Sequence, residues 1–106
     1  MSIFINKSFD VATYSMQQVE SLTGISAHSL RKWESRYSFI SPKRSNTNIR
    51  LYSDEQLQLL LNVSILSRNG FRISQIDAMK TSEISLQVEK LMEKDEQDHQ
   101  DEIASL

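Results

Sequence analysis

The residues best suited to chemistry lie in one stretch, AHSLRKWESRY at positions 27–37. On a helix turning about 100° per residue, Leu30, Trp33 and Tyr37 fall within about 60° of one another and form an apolar stripe. His28, Arg31, Lys32 and Ser35 lie opposite, with Ser29 and Arg36 on one flank and Glu34 near the apolar edge on the other. Such a helix buries its aromatic residues and turns guanidinium, ammonium, imidazole and hydroxyl groups outward. These donors match guanine edges and phosphate oxygens in the major groove of a duplex. A solvated face over a core Trp has the same pattern, and composition alone favours that plainer reading. The turn signals immediately upstream reverse the preference. Trp33 shares the face of Leu30 and belongs to the core. Tyr37 is balanced between packing its ring and reaching a phosphate with its hydroxyl. Glu34 would be repelled by phosphates and is expected to pair with a nearby Arg.

A second cluster follows directly, PKRSNTNIRLY at positions 42–52. Lys43, Arg44 and Arg50 on a short hairpin would neutralise phosphates, forming a wing beside the helix. Asn46 and Asn48 suit the positive φ that tight turns demand. Arg68 and Arg72, around Asn69-Gly70, are further candidates for phosphate contact, although a solvated turn explains them equally well.

Positioning these groups requires a particular order of elements. Ser15 and Gln18 have capping-box spacing, Met16, Val19 and Leu22 follow at helical intervals, and Gly24 stops the segment. Ser26 offers a fresh N-cap for a helix running to about Tyr37. Two helices joined by so short a Gly-containing turn make a helix-turn-helix. Pro42 and the polar run 43–48, between Phe39-Ile40 and Ile49–Tyr52, predict a β-hairpin over 39–52. Ser53 and Gln56 repeat the capping-box spacing and start a third helix, which Asn69-Gly70 ends. Leu57, Leu60, Leu61 and Ser64 form one of its faces and Leu59, Val63 and Leu66 nearly the opposite one, so it should be buried between two partners. Ser74 is expected to cap a short fourth helix carrying Ile76 and Met79. A fifth, beginning near Ser82 or Glu83, shows Ile84, Val88 and Leu91 on one face, suited to docking on one partner helix. That partner is either the same helix of a second subunit or the chain's own third helix. From Lys94 the polar, acidic run is expected to fray. The fold class is therefore mostly α with a small β-hairpin: a winged helix-turn-helix, a second helix pair and a C-terminal helix. The expected divisions are an arm (1–12), the winged domain (13–80), a linker or dimerisation helix (81–94) and an acidic tail (95–106).

Composition excludes several alternatives. The 106 residues, 39% hydrophobic and 25% charged, fit one ordinary globular domain. The absence of Cys removes thiol catalysis, thiolate metal sites and disulfides, and two His 71 positions apart make no metal site by themselves. Neither a signal peptide nor a membrane span is legible, so a reducing cytoplasm is the default expectation, with no membrane partner. No acid–base pair, nucleophile set or phosphate loop suggests an enzyme. The net charge of −2 conceals a division. Residues 1–80 carry ten Lys/Arg and six Asp/Glu, whereas 81–106 carry two Lys and eight Asp/Glu. Residues 28–50 hold six basic residues and only Glu34 against them, and this basic segment is what duplex DNA would meet.

Tyr14-Ser15-Met16, Leu22–Ser26, Leu30-Arg31-Lys32-Trp33-Glu34, Arg36-Tyr37, Pro42-Lys43-Arg44, Asn48–Ser53, Leu66 and Asn69-Gly70-Phe71 together resemble the DNA-binding domain of MerR-type transcriptional regulators. The form Trp-Glu-x-Arg-Tyr is closest to the branch of light- and cobalamin-responsive repressors of carotenoid genes, although Ser38 stands where that branch carries Gly. The resemblance spans about residues 13–80. It implies helix 27–37 in the major groove, hairpin 39–52 as the wing, and a terminal helix that dimerises or links to an effector domain. By position it makes Arg31 and Arg50 DNA-contacting residues, with Tyr52 the aromatic that follows, and Tyr14 and Ser15 join the phosphate candidates. It also implies double-stranded DNA as partner, a homodimer formed on DNA or through a further C-terminal domain, and RNA polymerase as a further contact. No cofactor is expected in this chain: a cobalamin-ligating Asp-x-His-x-x-Gly pattern is absent from it, and a sensor would lie on a part of the parent protein outside it. An excisionase-like architectural protein and a basic protein-docking module are the competing readings.

Overall fold

Ser15 opens the first helix through two reciprocal hydrogen bonds. Its Oγ accepts from Gln18 N at 3.1 Å, and Gln18 Oε1 accepts from Ser15 N at 2.8 Å. The computed structural model, which describes residues 12–104, carries this helix, α1, over Met16–Thr23. Gly24 ends it at φ 79°, where a Cβ would be strained. Thr23 Oγ1 then accepts from Ile25 N at 3.1 Å and tightens the turn. Ser26 Oγ accepts from Ser29 N at 3.0 Å and starts α2, Ala27–Arg36. The helix-turn-helix anticipated from these caps is present.

Three short antiparallel strands follow the order β1-β3-β2, with β1 at Thr13–Tyr14, β2 at Lys43–Arg44 and β3 at Arg50–Ser53. Lys43 faces Leu51 and Arg44 faces Arg50, while Thr13 and Tyr14 pair with Ser53 and Tyr52. Two features depart from the expected hairpin. Phe39 and Ile40 form no strand; Ile40 is buried among the helices and Phe39 packs its ring against Trp33 and Tyr37. The wing is accordingly shorter than 39–52. The strand β1 has no counterpart in the sequence reading, because two residues show no alternation.

Ser53 caps α3, Asp54–Arg68, by accepting from Gln56 N at 3.1 Å. Gln56 does not return the bond as a capping box would. Its side-chain oxygen accepts from Ser41 N at 2.9 Å and its amide donates to Phe39 O at 3.1 Å, so it ties down the chain between α2 and the wing. The α4 helix, Ile73–Asp77, begins after Arg72 rather than after Ser74, which lies inside it. Gln75 Oε1 accepts from Arg72 N at 2.9 Å and secures that start. The last helix, α5, runs Thr81–Ala104, starting just before the expected Ser82, with Glu83 Oε1 accepting from Lys80 N at 3.0 Å. It continues through the acidic segment, contrary to the fraying expected from Lys94. Glu, Lys and Gln favour helix, and no Gly or Pro interrupts residues 81–104. The expected N-terminal arm lies outside the described residues up to position 11.

α3 separates two apolar clusters, as its two-faced pattern predicts. Leu60 joins Val19, Ile25, Leu30, Ile40 and Tyr52 on the helix-turn-helix side. Val63 and Leu66 join Ile76, Ile84 and Val88 on the other. Trp33 and Phe39 touch both clusters, so the core Trp joins the two halves. Within the chain, Ile84 and Val88 are buried in the cluster that includes α3's Val63 and Leu66, and Leu91 is partly buried against it. Each fully buried aliphatic residue contributes about 1.5–3 kcal/mol to holding these helices in place.

Candidate nucleic-acid interface

The outward face of α2 is built as its wheel predicts. Leu30 is wholly buried, Trp33 and Tyr37 are partly so, and His28, Arg31, Lys32, Ser35 and Arg36 lie on the surface. Ser29 is half-buried and belongs to the cap, accepting from Ser26 Oγ at 3.1 Å. The Ser35 hydroxyl donates back to Lys32 O at 2.9 Å. Arg31 leans across α1, its guanidinium 3.4 Å from Met16 Sδ. The Tyr37 ring stacks on Phe39 with centroids 5.8 Å apart.

The wing stands beside this face because a carboxylate joins them. Glu34 Oε1 accepts from Arg50 Nε at 2.6 Å, and Glu34 Oε2 lies 3.6 Å from an Arg44 terminal nitrogen. The expected role of Glu34 as an intrachain partner for an arginine is thus present, with two arginines rather than one. Arg44 also donates to Asn48 O at 3.3 Å across the turn. Asn48 takes φ 64°, whereas Asn46 is not among the residues of positive φ. Ser45 organises the turn: its Oγ accepts from Thr47 N at 3.2 Å and Ile49 N at 3.1 Å. Sequence reasoning misses its share, although a Ser opening a polar turn is a recognised signal. Lys43 is exposed, with no such engagement among the described residues.

Several other candidate residues are buried or engaged within the fold. Tyr52 is wholly buried and its hydroxyl has no hydrogen-bond partner among the described residues, so it is a core residue at the base of the wing rather than a surface aromatic. Burial pushes its phenol above the ordinary tyrosine value. The Tyr14 hydroxyl donates to the Asp54 carboxylate, which raises its pKa, and the Ser15 hydroxyl is taken up in capping α1. Arg68 stays exposed at the end of α3 while donating to Ser64 Oγ at 2.6 Å and towards Thr23 O at 3.4 Å. Arg72 remains exposed. The structure therefore brings together the α2 face and the Lys43, Arg44 and Arg50 wing, while Tyr52 is buried and the polar groups of Tyr14, Ser15 and Arg68 are engaged within the chain. Among the described residues no group of three or more His, Cys, Asp or Glu could hold a metal ion, and no helix is long and apolar enough to cross a membrane.

Residues 14–83 match the model of the MerR HTH family regulatory proteins. The HTH-type transcriptional regulator MlrA of Salmonella typhimurium is 27% identical over 77 residues, covering 73% of this chain and 32% of that protein. The HTH-type transcriptional repressor CarA of Myxococcus xanthus is 33% identical over 73 residues, 67% of this chain and 25% of its own. The chain thus spans about a third or less of the length of these relatives. Among solved structures, a MerR-family transcriptional regulator from Bacillus cereus superposes with TM-score 0.58 over 89% of this chain and 76% of that one, at 16% identity, a likeness of fold.

Proposed function

The chain belongs to the MerR HTH family of regulatory proteins, and from that premise we propose that it binds double-stranded DNA sequence-specifically through α2 and the wing. The family is one of transcriptional regulators rather than enzymes, which favours this reading over an excisionase-like architectural role. The observation that carries it is the surface row His28, Arg31, Lys32, Ser35 and Arg36 on a helix whose apolar side is anchored in the core, with Lys43 and Arg50 beside it on the wing. The row lies in the major groove, where Arg31 and Lys32 meet guanine edges or phosphates, and the wing tracks the adjacent sugar–phosphate backbone. Two copies read a near-palindromic operator in successive major grooves, about 34 Å apart. The protein acts in the bacterial cytoplasm, on the nucleoid, with RNA polymerase as a further partner and without a cofactor in this chain.

Selection from a pool of randomised duplexes, followed by electrophoretic titration at rising salt, tests this. Enrichment of a related set of sequences, bound with an affinity that falls as salt rises, is expected. Binding that ignores salt, or that survives Arg31→Ala and Arg50→Ala together, overturns it.

A further inference from the structure

Arg44 and Arg50 are direct partners across the two strands of the wing. Like charges at such positions repel and would splay or twist the hairpin. The Glu34 carboxylate, supplied by α2, meets both: Oε1 takes Arg50 Nε at 2.6 Å and Oε2 approaches Arg44 at 3.6 Å. Both Glu34 and Arg50 keep about a quarter of their side-chain surface exposed, so the pair sits at the edge of the interface rather than in the core.

The atoms used matter more than the charge. Arg50 engages Glu34 through Nε, and among the described residues no hydrogen bond or ion pair occupies its two terminal nitrogens. A guanidinium is a rigid fork, so fixing Nε fixes the plane in which the other two donors lie. Arg44 differs: one terminal nitrogen donates to Asn48 O and the other faces Glu34, so it is engaged within the wing.

We propose that Glu34 is a positioning residue for DNA binding: it holds Arg50 by Nε and thereby sets the two terminal nitrogens for one phosphate of the duplex. This rests on the DNA-binding reading above. A lysine at 50 would keep the charge and the ion pair, but its single nitrogen could not serve carboxylate and phosphate together. The acidic residue in an otherwise basic segment therefore does not oppose binding. It orients one contact.

The full chain and its Glu34→Ala, Glu34→Gln, Arg50→Lys and Glu34→Ala/Arg50→Lys variants are titrated on the duplex enriched by the wild type from the randomised pool. The readout is the slope of log affinity against log salt, which fold damage alone does not change in the fraction still folded. Glu34→Ala and Arg50→Lys should each lower the slope by about 0.9, one phosphate's worth, and the double variant no further. Glu34→Gln, which keeps an oxygen for Nε and preserves the size of the side chain, should restore the slope lost in Glu34→Ala. A slope unchanged in Glu34→Ala overturns the proposal. So does a steeper one, which would mean that Glu34 holds the arginines away from DNA. If the wild type itself enriches no duplex, the DNA-binding reading fails and this proposal with it, an outcome distinct from a wild type that binds and an alanine variant that matches it.

Discussion

The hydroxyl of Ser64, in the second half of α3, donates to the carbonyl oxygen of Thr23, the last residue of α1, at 2.9 Å. That carbonyl is one of the helix-end acceptors left without an intrahelical donor, and both residues are buried. Arg68 reinforces the contact by donating to Ser64 Oγ at 2.6 Å. The bond fixes the helix-turn-helix against α3, and hence the attitude of α2. Ser64→Ala should lower stability by about 1–2 kcal/mol, because a buried acceptor loses its closest donor. Thermal denaturation checks this; a melting temperature equal to wild type would show that Arg68 suffices alone.

The turn between α1 and α2 depends on the backbone of Gly24. At φ 79° nothing lies within 4 Å of the point that a Cβ would occupy, so the cost of a side chain is backbone strain and not a clash. Gly24→Ala should cost roughly 1–2 kcal/mol and Gly24→Asn less, since Asn tolerates the left-handed region. Chemical denaturation of the two variants gives the ranking, and equal midpoints would contradict it.

Tyr52 presents the opposite case, a polar atom whose removal should help. Its buried hydroxyl lacks a partner among the described residues, so Tyr52→Phe should leave stability unchanged or raise it by about 1 kcal/mol near neutral pH. A urea midpoint clearly below that of the wild type would contradict this.

The same phenol sets a pH dependence. Its folded-state pKa is raised by burial, and that of Tyr14 is raised chiefly by its hydrogen bond to Asp54. A raised folded pKa means that the fold holds the phenolic proton more tightly than the unfolded chain does. The associated stability is complete below the unfolded value of about 10 and is lost as pH climbs through the folded values. Melting curves between neutral pH and strong alkali should therefore decline above about pH 10. The decline should be shallower in Tyr52→Phe and in Tyr14→Phe; identical profiles in all three proteins would contradict the assignment.

On α5, position along the helix decides what a charge does. Ile84 is 1% exposed and packs on α3, so Ile84→Asp should cost on the order of 3–4 kcal/mol by burying a carboxylate without a partner. Leu86 and Met92 are half or more exposed, and Leu86→Asp or Met92→Asp should shift stability by less than about 0.5 kcal/mol. Sedimentation together with melting separates self-association from folding: loss of a dimer in the exposed variants at unchanged melting temperature would assign that surface to a second subunit.

Local chemistry makes much of this protein legible in its residues alone. Ser15, Gly24, Ser26 and Ser53 mark helix boundaries because caps act through hydrogen bonds that span only a few positions. The two-faced α3 and the outward row on α2 follow from periodicity, which is likewise local. The pairing of Glu34 with an arginine follows from its isolation in a basic segment.

Other features depend on residues far apart in the chain and have no local signature. A strand of two residues, Thr13–Tyr14, exists because β3 offers it an edge. Gln56 leaves the capping box to tie down Phe39 and Ser41, and the guanidinium of Arg68 reaches Thr23, each taking a partner that only packing brings within reach. Tyr52 is aromatic in sequence and buried in space because β3 packs against α1 and α3. The sequence by itself determined which helices form and which face of α2 is basic, since both are set by neighbours within a few turns. Only the tertiary structure decided which of those basic groups are free, because a charge is free or engaged according to what the fold places within about 4 Å of it.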